Sequence, residues 1–259
     1  MVRGSADFFV AGRPLSAPLI LATVLAANIG AGATVGAAGL GYKDGLSAWW
    51  WNGSAAIGSV FLALFIGPRI WKVAKEHGLY TTGDYLELRY GPSVRAIITS
   101  LIWLGTLSIL AGQLIAGAAV LSVVADVPRS TGIALSAIVM TVYFVAGGLL
   151  SSAWINAVQL VVLLGGFALA LPMVIASAGG MAQVLAPVGA HAAYDSMAYS
   201  SGPGSGWMLM FALVPAFIIS PGLMQKAYGA SSARAVRIGI GIQAIVLALF
   251  AFIPVLLGM

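Results

Sequence analysis

The chain has 259 residues, 61% of them apolar and 7% charged, and its mean hydropathy is +1.03. A soluble domain carries about 25% charged residues, so this chain has too little charge to cover a water-facing surface. That excludes a soluble enzyme, a disordered chain and a coiled coil, and predicts an all-α integral membrane protein with the lipid bilayer as its first partner. Twelve Lys and Arg against seven Asp and Glu give a formal charge of +5. In a soluble protein that balance would raise nucleic acid as a partner. Here the bases fall between apolar runs and read as a topology signal, so nucleic acid is not expected. The absence of cysteine excludes disulfides, thiol catalysis and cysteine metal sites.

The N-terminal MVRGSADFFVAGRPLSAP is polar and short, with no apolar core and cleavage site of a signal peptide. Crossing the hydrocarbon takes about 20 apolar residues. Seven runs are long enough: Ala17–Leu40, Leu46–Gly67, Ala96–Val124, Thr131–Leu149, Trp154–Ala178, Trp207–Met224 and Ala235–Leu257. They are expected to form a single transmembrane domain over residues 1–259. The third run would reach ~44 Å at ~1.5 Å per residue, so it must tilt or protrude.

With seven spans the bases sort to two sides. One side holds Arg3, Arg13, Arg69, Lys72, Lys75, Arg89, Arg95, Lys226, Arg234 and Arg237, and the other holds Lys43 and Arg129. The positive-inside rule then puts the N-terminus in the cytoplasm and the C-terminus outside, in a cell membrane (plasma or inner). His77 and His191 lie in different connecting segments and read as solvated. Between the second and third spans, HGLYTTGDYLELRYG carries threonines and Asp84 at a helix start. This stretch is expected to be an amphipathic helix at the membrane interface.

Polar side chains are costly inside a bilayer, so each one there calls for an account. No Asp, Glu, Lys or Arg is expected deep in any span, which disfavours a carboxylate proton relay, a Schiff base or a voltage sensor. The first span reads LATVLAANIGAGATVGAAGLG. Asn28 lies near its middle, followed by Gly30, Gly32 and Gly36. Each glycine costs roughly 1 kcal/mol in a helix relative to alanine. Such a run suits a helix that unwinds in mid-membrane, where freed carbonyls can coordinate a cation. It equally suits close packing, with Gly32 and Gly36 as a small-xxx-small pair and Asn28 bonded to a neighbouring helix. Both remain open on composition.

Asn52 is a second amide within a run, and it follows three tryptophans that would also fit the membrane boundary. Gln113, inside LAGQLIAGA, fits an interhelical hydrogen bond or a gate. Ser220 and Pro221 put a proline in the sixth span and invite a kink. No phosphate loop, zinc-protease motif or nucleophile–base pair is present, so an enzyme has no support.

Five stretches together resemble the sodium:solute symporter family, which includes sodium/proline, sodium/pantothenate and sodium/glucose cotransporters. They are DFFVAGRPL, AANIGAGATVG, LYTTGDYLELRYG, YFVAGGLLSSAWINAVQ and MQKAYGASSARAVRIG, in the family's order and spacing from about residue 6 onward. The resemblance implies a LeuT-like fold of two inverted five-helix repeats, with spans one to five forming the first repeat and spans six and seven opening the second. It implies a sodium site using the backbone carbonyls of Ala26 and Ile29, with sodium as the coupling ion and no other cofactor. It also implies that Asn28, Asn52, Gln113 and Phe217 face a substrate cavity. For Phe217, aromatic core packing is the other reading.

Some positions depart from the family pattern. Asn156 stands where the signature usually has an aspartate linked to the cytoplasmic sodium route. Ala33 stands where sugar-transporting members carry a glutamine, which makes a sugar less expected. Gly30 replaces a common hydroxyl residue. The helix that supplies serine hydroxyls to the family's sodium site would follow Met259, and the extra helix often found before DFFVAGR would precede this sequence. Two carbonyls would leave sodium short of its roughly five oxygen ligands.

The expected function is therefore sodium-coupled symport of a small organic solute, such as an amino acid or carboxylate. The chain would be an N-terminal fragment or subunit that needs the missing C-terminal half or another copy. The alternative is a non-transporting truncated membrane protein or scaffold.

Overall fold

The fold was analysed as a computed structural model, which describes Val10, residues 13–186 and residues 193–259; for residues 143–148, 150 and 151 it describes the backbone. His191, Arg3 and most of DFFVAGRPL lie outside the described residues. Those described are helical apart from turns and one isolated parallel bridge, Leu15 to Ala230.

The first apolar run forms two pieces. Helix α1 spans Ala17–Asn28, with Pro18 in its first turn, where a missing N–H costs nothing. Ile29 (φ −92°, ψ 74°) then leaves helical geometry. A π turn at Gly32–Gly36 leads into α2, Ala37–Asp44. The chain reverses at Gly45, whose φ of +66° suits glycine. A Cβ there would run into the Tyr194 carbonyl, which accepts from Leu46 N–H at 2.9 Å.

The second run gives α3 (Trp49–Phe61), a π turn at Leu62–Ile66 and α4 (Gly67–Glu76). Beyond it, α5 covers Thr82–Tyr90. Its start is a capping box: Asp84 N–H donates to Thr81 Oγ1 at 3.2 Å, and Thr81 N–H donates to Asp84 Oδ2 at 2.8 Å. None of its residues is buried, as suits a surface-lying helix. Arg13 secures the same side, with Nη2 donating to the carbonyls of Ala74 (2.8 Å) and Leu79 (2.9 Å).

Helix α6 runs over Pro92–Ala125 and α7 over Arg129–Ser177. The latter is one continuous helix of 49 residues where the sequence analysis expects two spans, 131–149 and 154–178. No proline lies at the expected junction, and helix propagates wherever each residue completes an i−4 bond. At ~1.5 Å per residue the rod reaches ~74 Å, more than twice the hydrocarbon thickness.

After the short α8 (Met181–Val184), the sixth run is also in two pieces, α9 (Leu209–Ile218) and α10 (Pro221–Tyr228). Ile219 and Ser220 are non-helical between them, so the expected kink is a full break. Helices α11 (Ala233–Phe250) and α12 (Phe252–Gly258) complete the chain.

The core forms where α11 packs on α1 and α3, α9 packs on α3, and α12 packs on α2. One cluster joins Ile20, Val24, Leu62, Val236 and Ile240, and another joins Leu25, Ile29, Ala55, Leu247 and Phe250. Helices α6 and α7 leave Trp103, Ile109, Val123, Val161 and Val162 exposed. Such a wall would be costly in water and costs nothing in hydrocarbon. Five helical stretches among the described residues are long and apolar enough to cross a membrane.

Candidate functional site

The two interrupted runs face one cavity of about 320 Å³. Its wall includes Asn28, Gly30 and Gly32 from the break after α1, and Trp51 and Asn52 from α3. Ile109 and Gln113 of α6, Phe217 of α9, and Ser220 and Lys226 around α10 complete that list of polar and aromatic contributors. The volume sits at the small end of the range for ligand pockets.

The break has a specific hydrogen-bond structure. The α1 ladder ends with Ile29 N–H donating to Leu25 O at 2.9 Å. It resumes where Ala33 and Thr34 N–H both donate to Gly30 O, at 3.1 Å each. Ala31 N–H is diverted to the side chain of Gln113, reaching Oε1 at 2.9 Å. The carbonyls of Ala26 to Ile29 fall between the two ladders and receive no backbone N–H among the described residues. Gly30 permits this approach, because a Cβ there would stand 2.5 Å from Gln113 Nε2. Asn52 supports the far side of the break, its Nδ2 donating to Ala33 O at 2.9 Å from a buried position.

Asn28, Asn52, Gln113 and Phe217, the four side chains singled out in the sequence, thus line the same cavity although they come from four separate segments. Asn28 Nδ2 is buried without a hydrogen-bond partner. A buried unpaired donor costs about 1–3 kcal/mol, so this nitrogen calls for a functional account. Ala26 and Ile29 flank the break but are not among the residues on the cavity wall. Among the described residues no cluster of three His, Cys, Asp or Glu could hold a metal.

Two of the three consecutive tryptophans have structural roles: Trp49 Nε1 donates to Ala248 O (3.0 Å) and Trp50 Nε1 to Met197 O (2.8 Å). Trp51 is the one at the cavity. Asn156 Nδ2 donates to Thr23 Oγ1 at 3.1 Å, tying α7 to the buried face of α1. His77 is exposed and its ring Nδ1 lies 3.1 Å from Val73 O, so it has no place at the site.

Sequence reasoning missed Lys226. It counts there as one cytoplasmic base beyond a span ending at Met224, whereas helix α10 continues to Tyr228 and brings Lys226 to the cavity wall. The available signal is the proline: a helix restarting at Pro221 places Lys226 one turn after Gly222, and helical side chains lean toward the N-terminus.

The apolar helices and the two interrupted runs around one small cavity define a multi-pass membrane protein. The sequence matches the sodium:solute symporter family over residues 8–259, and the chain belongs to that family. Relatives include an uncharacterized symporter, YidK, of Escherichia coli K12, 40% identical over 91 residues (35% of this chain and 15% of the relative). The human sodium/iodide cotransporter is 28% identical over 203 residues (78% and 31%). A sodium/glucose cotransporter of Vibrio parahaemolyticus is 30% identical over 173 residues (64% and 30%). The matched part thus spans less than a third of the length of each of these relatives.

Proposed function

We propose that this chain contributes one wall of a sodium-coupled symport site for a small organic solute such as an amino acid or carboxylate. The observation that carries the reading is the pair of helix breaks, at residues 29–31 and 219–220, opening onto one cavity lined by Asn28, Asn52 and Gln113. Interrupted helices at membrane depth are tolerated where they line a cavity, and their freed carbonyls suit a monovalent cation. Sodium is cargo here: the Ala26 and Ile29 carbonyls supply two of its oxygens. The remaining ligands come from further helices of the transporter or from another copy. Solute binds through Asn28, Asn52 and Gln113, with Phe217 closing over it.

The same reading gives a LeuT-like arrangement in a plasma or inner membrane, with the N-terminus cytoplasmic on the nine-to-two distribution of the basic residues other than Lys226. It treats residues 1–259 as a single seven-span transmembrane domain, with α7 bending near Gly147 and Gly148 into two spans when the bilayer surrounds it.

The test is sodium-dependent binding of labelled solutes to membranes containing this chain, with Asn28→Ala alongside. Sodium-dependent binding that Asn28→Ala abolishes at equal membrane abundance supports the site. Binding that Asn28→Ala leaves unchanged refutes it.

A further inference from the structure

Among the described residues, the cavity wall holds one charged side chain, Lys226, and no aspartate or glutamate. Lys226 takes part in none of the ion pairs found there, which join Lys72 to Glu76 and Arg95 to Asp84 and Glu87. Its Nζ donates to Gly222 O at 3.3 Å, so the ammonium is drawn back along α10 toward the break at Ser220. An ammonium has three donors, and that carbonyl uses one.

The amides around it are oriented by the backbone. Gln113 Oε1 is taken by Ala31 N–H, which leaves the Gln113 Nε2 donor. Asn52 Nδ2 is taken by Ala33 O, which leaves the Asn52 Oδ1 acceptor. A backbone N–H can only donate and a carbonyl can only accept, so both side-chain orientations follow. Asn28 Nδ2 is a third donor, buried without a partner. The capacity left for a solute is thus an ammonium and two amide N–H groups, against the amide oxygens of Asn28 and Asn52 and the Ser220 hydroxyl, with no carboxylate among them.

We propose that the solute is a small monocarboxylate whose carboxylate oxygens lie on Lys226 and the neighbouring amide donors. This rests on the symport-site reading above and deepens it. A carboxylate supplies the counter-charge that Lys226 lacks and accepts from several donors at once. A neutral polyol would leave the ammonium without a counter-charge. A zwitterionic amino acid would bring an ammonium of its own to a wall with no carboxylate to receive it.

The experiment uses the whole chain in phosphatidylcholine nanodiscs, whose headgroups carry no net anion, at fixed sodium concentration. Calorimetric titration compares lactate with lactamide, its neutral isostere, and with proline. We expect lactate to bind at least about 30-fold more tightly than either, the range for removing one partner of a desolvated charge pair. Lys226→Gln should erase that preference and Lys226→Arg should keep most of it. Lactamide or proline binding as tightly as lactate overturns the proposal without needing any variant. Lactate affinity that is lost in Asn28→Ala but unchanged in Lys226→Gln overturns it while sparing the site. No binding of any of the three to folded protein overturns the site reading and this inference together.

Discussion

Helices α1–α2 and α7 are built from much the same residues and behave oppositely. Both are apolar and glycine-bearing, yet Ala17–Asp44 breaks after Asn28, and Arg129–Ser177 runs on for 49 residues. The difference lies in what receives the backbone. At the break, Gln113 accepts the Ala31 N–H and Asn52 donates to the Ala33 carbonyl, so side chains from α6 and α3 replace part of the helical ladder. The lipid-exposed stretches of α7 have no such substitute, and every backbone group must be satisfied within the helix. At Gly165 and Gly166 of α7, glycine alone does not interrupt the helix. After Asn28, glycine with amides from neighbouring helices does.

The most damaging way to challenge that contrast is Gly30→Leu. Its Cβ would collide with Gln113 Nε2, displacing the amide that holds the break and filling the cavity. We expect solute binding to fall by about 100-fold or more, in line with overpacking costs of ~1–3 kcal/mol added to lost contacts. Equilibrium binding checks it. The same change at Gly165 of α7, where no atom stands within 4 Å of the added Cβ, should leave binding unaffected.

Asn28→Ala sharpens the contrast differently. It should weaken solute binding by at least about tenfold, the loss of one charge-assisted hydrogen bond. Thermal unfolding in detergent should hold steady or rise slightly, because the Nδ2 removed has no partner in the fold.

Arg13→Ala tests the packing of α4 and the segment that follows it rather than the break itself. Losing the two short bonds to Ala74 and Leu79 carbonyls should cost about 2 kcal/mol, measured by denaturant unfolding. Val161→Ala, on a strongly exposed position of α7, should change stability by less than about 0.5 kcal/mol by the same method.

Much of the cavity wall is legible because polar atoms are conspicuous in an apolar chain. Asn28, Asn52 and Gln113 stand out for that reason, and the glycines after Asn28 mark where the helix can part. Phe217 carried no such signal and came from the family resemblance alone. At Ser220 the sequence predicts a kink, whereas Pro221 opens a new helix instead of bending an old one. Lys226 was hidden by that same error, since a lysine at the end of a span reads as a topology charge until the helix restart is recognised. The π turns at residues 32–36 and 62–66 differ from α-helix by one residue per turn, and apolar composition records no such difference. The continuity of α7 was equally invisible, because two apolar runs joined by Ser151 and Ser152 read alike as one helix or two.

Amide hydrogen exchange on the chain in nanodiscs tests the central claim most directly. If residues 29–32 part the first helix beside the cavity, the N–H groups of Gly30 and Gly32 exchange within seconds, while those of α7 at Val161–Leu164 stay protected for hours. Protection at Gly30 and Gly32 equal to that of α7 would mean an unbroken first helix, and the site built on its interruption would not exist.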